Sequence, residues 1–230
     1  MHHKSILIRL VIMKKSILFT VITGILILES CSGLIGSGHA VEETRTVNTV
    51  YRGIMVEKAI RVTVSDQVSA IHVRADELFM PFLETYVNDQ DMLVIGYTKN
   101  LIGYSSVNTE VTVPYHPLLS TFIASGASLI ETDCPVTVNT AFFEASGASR
   151  FSVYGSAINC TVELSGASRF EDFDFTAITL DCDLSGASRM DITCQGVMKI
   201  KASGASTIHY KGDCVINAIE TSGGSEVIKQ

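Results

Sequence analysis

The second half of the chain alternates apolar and polar residues, and the alternation restarts about every twenty residues. Segments such as Cys160–Leu164 and Leu180–Leu184 place an apolar side chain at every second position, with Thr, Glu or Asp between them. A period of two is typical of half-buried β-strands, whereas a helix would place apolar residues at i, i+3, i+4 and i+7. The pattern therefore predicts short strands throughout this half.

One tetrapeptide, Ser-Gly-Ala-Ser, punctuates these strands. Its copies begin at Ser125, Ser146, Ser165, Ser185 and Ser203, and a degenerate Ser-Gly-Gly-Ser begins at Ser222. The steps are 21, 19, 20, 18 and 19 residues. A period near twenty is typical of a solenoid, in which each repeat stacks on the previous one. Twenty residues at about 3.3 Å each suit one coil of a β-helix with short strands and tight corners.

The tetrapeptide is predicted to form a corner of each coil. Gly supplies a backbone conformation that other residues adopt with difficulty, and Ser bonds to nearby backbone groups. The second residue after each motif is apolar: Ile130, Phe151, Phe170, Met190, Ile208 and Val227. These six should form an internal ladder. The handedness of parallel crossover connections favours a right-handed coil.

The part of the chain that precedes the repeats carries the same alternation with less obvious repetition. Ile60–Val64, Ala70–Arg74, Met92–Ile95 and 107–113 are all predicted to be strands. No Pro/Ser-rich linker separates the halves. We therefore expect one all-β domain over residues 44–230, a single-stranded right-handed β-helix with about 20 residues per coil. Its N-terminal coils should be less regular and cap the stack.

Residues 1–31 are predicted to be an export signal. Lys14 and Lys15 precede an apolar run from Ile17 to Leu28, and Met13 is an alternative start. The run is short for a spanning helix, which needs about 20 apolar residues.

The end of this signal indicates lipidation. In Leu28-Glu29-Ser30-Cys31, Leu at −3 and Ser at −1 resemble a lipobox, although Glu29 is atypical of one. Cys31 would then carry the lipid, residues 32–43 would form a flexible tether, and the protein would be anchored to a cell-envelope membrane. An uncleaved anchor helix or a signal peptide cut elsewhere are the alternatives.

The charge balance excludes one class of partner. Four of the 17 basic residues and one of the 24 acidic residues precede Cys31, which leaves a formal charge of −10 on the rest of the chain. A strongly acidic exported domain argues against nucleic-acid binding.

Five cysteines follow Cys31, an odd number: Cys134, Cys160, Cys182, Cys194 and Cys214. They are interpreted as small buried apolar residues, and the alternative is one disulfide between neighbouring coils, Cys194–Cys214. Because no Cys-x-x-Cys occurs and the histidines are scattered, no zinc site is predicted, and no cofactor is expected.

The residue directly after three of the motifs is arginine. Arg150, Arg169 and Arg189 should point outward in one row on successive coils, where like charges about 5 Å apart need partners. Acidic residues in phase with them are Glu144, Glu163, Asp183, Glu171 and Asp191. Such a row is either a solvated ion-pair lattice or a site that recognises an anionic sugar or surface polymer, since the guanidinium is suited to carboxylates.

Two further surface features carry candidate chemistry. An acidic group could hold Ca²⁺ beside the arginines, as in a polysaccharide-cleaving enzyme: Glu171, Asp172, Asp174, Asp181 and Asp183. Tyrosines could build an adhesive face, and the candidates are Tyr86, Tyr97, Tyr104 and Tyr154. The sequence offers no nucleophile elbow with a plausible His partner, so no catalytic residue is predicted.

The repeated tetrapeptide and the preceding strands together resemble the putative auto-transporter adhesin, head GIN domain, family. The segments similar to its opening strands and to its entry into the repeats are Ile54–Val56, Ile60–Val64, Ala75–Leu78, Leu83–Val87, Met92–Ile95, Val111–Pro114 and Leu119–Ser128. The resemblance covers residues 46–228. It implies an exported β-helical domain of Gram-negative bacteria, commonly lipid-anchored, and adhesion by name alone.

The expected function is therefore that of a non-catalytic envelope lipoprotein that binds a glycan or another surface protein. A polysaccharide-acting lyase or hydrolase is the second hypothesis, and a structural spacer or self-associating module is the third. Because the last coil of a β-helix exposes an unpaired edge, end-to-end homo-oligomers are also expected.

Overall fold

A computed structural model describes residues 36–47, 49–98, 108–171 and 173–230. Its regular structure is β-strand except for a single 3₁₀ turn, Met80–Phe82, and none of the described residues lie in a helix long and apolar enough to cross a lipid bilayer. Cys31 and Tyr104 lie outside the described residues.

The first nine strands are β1 (Ala40–Arg45), β2 (Gly53–Val56), β3 (Ile60–Ser65), β4 (Ile71–Asp76), β5 (Leu83–Val87), β6 (Met92–Tyr97), β7 (Thr109–Pro114), β8 (Thr121–Ala124) and β9 (Leu129–Thr132). The remaining nine are β10 (Val136–Ala145), β11 (Arg150–Ser152), β12 (Gly155–Leu164), β13 (Arg169–Phe170), β14 (Phe175–Leu184), β15 (Arg189–Ala202), β16 (Thr207–Lys211), β17 (Val215–Thr221) and β18 (Glu226–Lys229).

From β10 onward each strand pairs in parallel with the equivalent strand of the next coil. β10, β12, β14, the second half of β15 and β17 form one continuous sheet, and β11, β13, the first half of β15, β16 and β18 form another. The prediction of an all-β solenoid with coils of about twenty residues is confirmed.

Apolar side chains fill the inside of the coils. Five residues of the predicted internal ladder are buried, and they pair in register on successive coils: Ile130, Phe151, Phe170, Met190 and Ile208. Phe143 lies at the centre of an aromatic cluster, with ring centroids 5.0–5.5 Å from those of four other phenylalanines. This ladder is the core that the sequence pattern predicts.

The Ser-Gly-Ala-Ser motif forms a tight corner, as predicted. Gly166 has φ +73°, in the left-handed region that favours glycine. A Cβ there would lie 2.5 Å from the carbonyl oxygen of Gly147 on the preceding coil. The N–H of Ala167 donates to that same oxygen at 2.7 Å, and the Ser168 hydroxyl donates to the Ser165 carbonyl at 2.6 Å. The corners therefore stack backbone on backbone.

The N-terminal coils do not stack in chain order. β2 lies between β6 and β8, and β3 lies between β7 and β9, all in parallel. The chain thus returns past its own earlier coil before the regular repeats begin. Gly53 in β2 is packed closely between β6 and β8, because a Cβ there would lie 2.3 Å from the Met92 sulfur and 2.9 Å from the Thr121 Cβ.

Antiparallel strands cover the outer side of the β6–β7 coil. β4 pairs with β7, β1 pairs with β4, and β5 pairs with β6. These are the irregular capping elements expected at this end. The structure moves the predicted end of the tether, because β1 begins at Ala40 and Gly38 already donates its N–H to the Asp76 carboxylate at 2.8 Å.

The opposite end of the described solenoid is the coil formed by β17 and β18. Ile219 occupies an inward position, paired with Ile200, yet 52% of it is exposed, and 69% of Val215 is exposed. End-to-end association through this coil stays a prediction.

Candidate functional site

Arg150, Arg169 and Arg189 lie in one row, paired in register on three successive coils. We call these three residues the arginine row. Their side chains are 48%, 54% and 52% exposed. The residue after each arginine points inward and is fully buried: Phe151, Phe170 and Met190. The core thus fixes the direction of the row, as the sequence predicts, and leaves the guanidinium groups in solvent.

Two carboxylates form ion pairs with the three guanidiniums. Glu171 Oε1 lies 3.2 Å from Arg150 Nε and 3.9 Å from Arg169 Nη1, and Asp191 Oδ2 lies 3.0 Å from Arg189 Nη2. Exposed ion pairs of this kind contribute about 0–1 kcal/mol each. The row therefore keeps a net positive charge and free N–H donors.

Asp191 is the more enclosed of the two carboxylates that pair with the arginine row. Its carboxylate is 12% exposed, and its Oδ1 accepts a hydrogen bond of 2.7 Å from His209 Nδ1 on the next coil. Arg189 Nε approaches both of its oxygens, at 3.3 and 3.1 Å. Because Arg189 and His209 both contact the carboxylate, it is poorly placed to act as a free base or a metal ligand.

Three other acidic residues lie on the opposite side of the corner. Glu144, Glu163 and Asp183 pair in register on the same three coils, in the sheet that precedes each Ser-Gly-Ala-Ser. We call them the acidic column. Within the described part of the chain, none of the three has an ion-pair partner within 4.0 Å. The expectation that they neutralise the arginines is wrong for these three and right for Glu171 and Asp191.

Of the acidic residues predicted as Ca²⁺ ligands, Asp172 lies outside the described residues, and the four described ones do not gather into a site. Among the described residues, the one group of three potential ligands within 4.8 Å of one another is Asp66, Asp133 and Cys134. Burial and the two nearby carboxylates raise the pKa of the Cys134 thiol. Because the thiolate is the form that binds metal, this group fits a metal poorly.

The five described cysteines are free thiols. Cys160 and Cys182 are buried, in agreement with their interpretation as small apolar residues, and burial raises the pKa of both. Burial also raises the pKa of Cys194 to about 11, and Cys194 is in hydrogen-bonding contact with Cys214. The alternative of a disulfide between these last two is not formed in the structure.

The grooves of the described surface are shallow and open. One of them has a volume of about 590 Å³, and its lining includes three half-exposed aliphatic side chains, Leu118, Ile158 and Ile178, together with Thr, Ser and Asn. Sites for small molecules normally enclose most of the ligand. The surface is therefore better suited to contacts with an extended partner. Tyr86 is exposed as expected of an adhesive residue, but Tyr97 is buried, which corrects that expectation.

Sequence reasoning missed two features of this surface. It did not single out His209, which reaches Asp191 from the next coil, and it did not foresee that Glu171 is shared by two arginines. Register was the signal available, since residue 209 follows residue 191 by 18 positions, close to one coil.

The family model described as putative auto-transporter adhesin, head GIN domain, matches residues 50–214. No curated protein shows a significant match to the sequence.

Several crystal structures share the fold. A putative adhesin from Bacteroides fragilis NCTC 9343 is 13% identical, with a TM-score of 0.63, and the match covers 86% of this chain and 99% of that one. A putative adhesin from Parabacteroides merdae ATCC 43184 is 14% identical, with a TM-score of 0.51 and coverage of 86% and 99%. A putative lipid binding protein from Parabacteroides distasonis ATCC 8503 is 16% identical, with a TM-score of 0.51 and coverage of 86% and 100%.

Proposed function

Since the chain belongs to the putative auto-transporter adhesin, head GIN domain, family, we propose that it is a non-catalytic adhesion module of the cell envelope. The proposed ligand is an anionic polymer, such as an acidic glycan or an acidic region of another surface protein. The observation that carries this proposal is the arginine row, half exposed and repeated on three coils.

The spacing of the row supports a polymeric ligand. Adjacent coils are about 4.8 Å apart, so the three guanidiniums span about 10 Å along the solenoid. A guanidinium presents its donors as a planar fork that matches a carboxylate or sulfate. A chain with repeated negative charges can contact several forks at once, and its contacts add up where a single small anion would bind weakly.

The state of the neighbouring carboxylates supports a binding role over catalysis. A general acid or base must be free to reach the reacting group. Asp191 is held by Arg189 and His209, and Glu171 is shared by two arginines.

A glycan array tests the ligand class. We expect the full chain to bind acidic glycans, and the Arg150→Gln/Arg169→Gln/Arg189→Gln variant to lose at least about tenfold in affinity, because three exposed ion pairs of up to about 1 kcal/mol each together exceed the about 1.4 kcal/mol that a tenfold loss requires. A matched control removes three exposed positive charges elsewhere: Arg52→Gln, Arg74→Gln and Lys229→Gln. If both variants bind alike, net charge explains the binding and the arginine row is not the site.

We also propose that Cys31 carries a lipid that anchors the chain to an envelope membrane. The support is the Leu-Glu-Ser-Cys sequence after the apolar run of residues 17–28. Cells supplied with a fatty-acid analogue should label the wild-type chain and should not label a Cys31→Ala variant. Undiminished labelling of that variant would sink this assignment.

A further inference from the structure

The Ser-Gly-Ala-Ser corner separates two columns of opposite charge. The residue two positions before the corner points outward in one sheet, and the residue directly after the corner points outward in the next sheet. On three successive coils these two positions pair an acid with an arginine: Glu144 with Arg150, Glu163 with Arg169, and Asp183 with Arg189. The acidic column and the arginine row therefore run in parallel along the two flanks of one ridge.

The match extends to the coil before these three. There the corresponding positions are Ile123 and Leu129, both apolar and half-buried. On four consecutive coils the residues on the two flanks of the ridge are therefore complementary, either an acid and an arginine or two apolar side chains. The complementarity ends there, because the next coil has Lys201 and Thr207 at these positions and the last coil has Glu220 and Glu226, which are alike in charge.

We propose that this ridge binds a second copy of the same chain, side by side and parallel. A two-fold axis parallel to the solenoid brings the two ridges together at equal height. The acidic column of each copy then faces the arginine row of the other, coil by coil. Each coil contributes two complementary contacts, one on each side of the axis, so the interface is isologous.

The same charges select the parallel arrangement. In an antiparallel pair, a two-fold axis perpendicular to the solenoid keeps each flank on its own side. The acidic column would then meet the acidic column, and the arginine row would meet the arginine row. Like charges placed opposite each other are destabilising, whereas complementary potentials fix register.

The crest of the ridge allows close approach. Gly147, Ala148, Gly166 and Ala167 are exposed there, and no side chain larger than alanine projects from those four positions. The carboxylates of the acidic column have no ion-pair partner within the described chain, and the arginines remain half exposed. Both sets of side chains are therefore able to form ion pairs with another copy. A ridge only a few residues wide gives an interface at the low end of the size range, so the pair should be weak in solution and favoured on a crowded membrane.

This inference goes beyond the proposed adhesion and competes with it, because a second copy and an anionic polymer would use the same guanidiniums. A charge reversal at Glu163 distinguishes the two proposals. It belongs to the acidic column, so its reversal acts on self-association and leaves the arginine row in place.

Cysteine cross-linking of the full chain in detergent tests the arrangement. In the parallel pair every coil meets its own copy, so Ala148→Cys, Ala167→Cys and Ala187→Cys should each give a homodimer with a short bis-maleimide. All three positions are exposed and lie at negative φ. In an antiparallel pair at most one of them could meet itself. The controls are the parent chain and Asn159→Cys, which is exposed but lies away from the ridge.

A charge exchange tests the contacts. We expect Glu163→Arg or Arg169→Glu alone to raise the dissociation constant by about tenfold or more in sedimentation at low salt, because each reversal makes two contacts repulsive. The double variant, and an equimolar mixture of the two single variants, should restore association.

The outcomes divide cleanly. Homodimers at all three alanines, together with rescue by charge exchange, would support the proposal. Cross-links at one position or at none would overturn it, as would association that ignores both reversals, which would point to another surface such as the β17–β18 edge. Glycan binding by Glu163→Arg is scored separately: its loss would count against the arginine row as the adhesive site and leaves the cross-linking result unchanged.

Discussion

Replacing corner glycines with alanine tests whether the solenoid is held by stacking of backbone on backbone. Gly147 and Gly166 have the same left-handed φ of +73°. They differ in what an added Cβ would meet. At Gly166 the nearest atom is the Gly147 carbonyl oxygen at 2.5 Å, whereas at Gly147 it is the Gly126 nitrogen at 3.4 Å, an ordinary contact.

The two variants therefore share one cost and differ in another. Alanine in the left-handed region costs about 1–2 kcal/mol, and both Gly147→Ala and Gly166→Ala incur this. Overpacking adds about 1–3 kcal/mol where the neighbour cannot give way, and a hydrogen-bonded carbonyl cannot move easily. We expect a loss of about 1–2 kcal/mol for Gly147→Ala and about 2–5 kcal/mol for Gly166→Ala.

Urea unfolding followed by circular dichroism measures both losses, with the slope of the transition as a check that each variant unfolds as the wild type does. Gly186→Ala serves as a second clash variant, since its Cβ would also lie 2.5 Å from a carbonyl oxygen. Equal destabilisation of all three variants, within about 0.5 kcal/mol, would refute the argument from close backbone contact.

Three further outcomes are expected. Burial lowers the pKa of His116 from 6.5, and neither ring nitrogen has a hydrogen-bond partner in the described structure. The unfolded state then binds more protons than the folded state, so the free energy of unfolding should fall as pH drops below about 6.5. A His116→Phe variant should lose that part of the pH dependence of the free energy of unfolding. Phe143→Ala should cost about 3–5 kcal/mol in urea unfolding, because it empties the centre of the aromatic cluster; a loss under about 1 kcal/mol would contradict the assigned core. A maleimide should label Cys214, which is half-exposed, before the buried Cys160 and Cys182, whose labelling should require unfolding; equal rates in the folded chain would disprove their burial.

The regular coils were predictable because their signals are local and repeated. The phase of Ser-Gly-Ala-Ser sets which residues point inward, so the burial of Phe151 and the outward direction of Arg150 follow from counting. The two carboxylates that partner the row were also in view, because Glu171 and Asp191 follow an arginine by two positions in an extended strand, on the same face.

The N-terminal coils were not predictable in the same way. An alternating segment such as Ile60–Val64 predicts a strand and its apolar face, but it does not predict which strands it pairs with. That choice depends on packing between segments far apart in sequence, as when Gly53 fits between Met92 and Thr121. The prediction for Tyr97 is wrong because a strand tyrosine is either packed or exposed, and its burial beside Thr109 depends on a contact between two separate strands.

The interleaved position of β2 and β3 has a mechanical consequence. Tension applied to the chain ahead of Ala40 must first detach β1 from β4. It then reaches β2, which is hydrogen-bonded to a coil on each side. A solenoid wound in simple order would unravel from its end, one coil at a time, under such a load. In this chain the pull enters at the coil next to the outermost one, so hydrogen bonds to two coils must break together, and the domain should resist tension applied from its amino-terminal side.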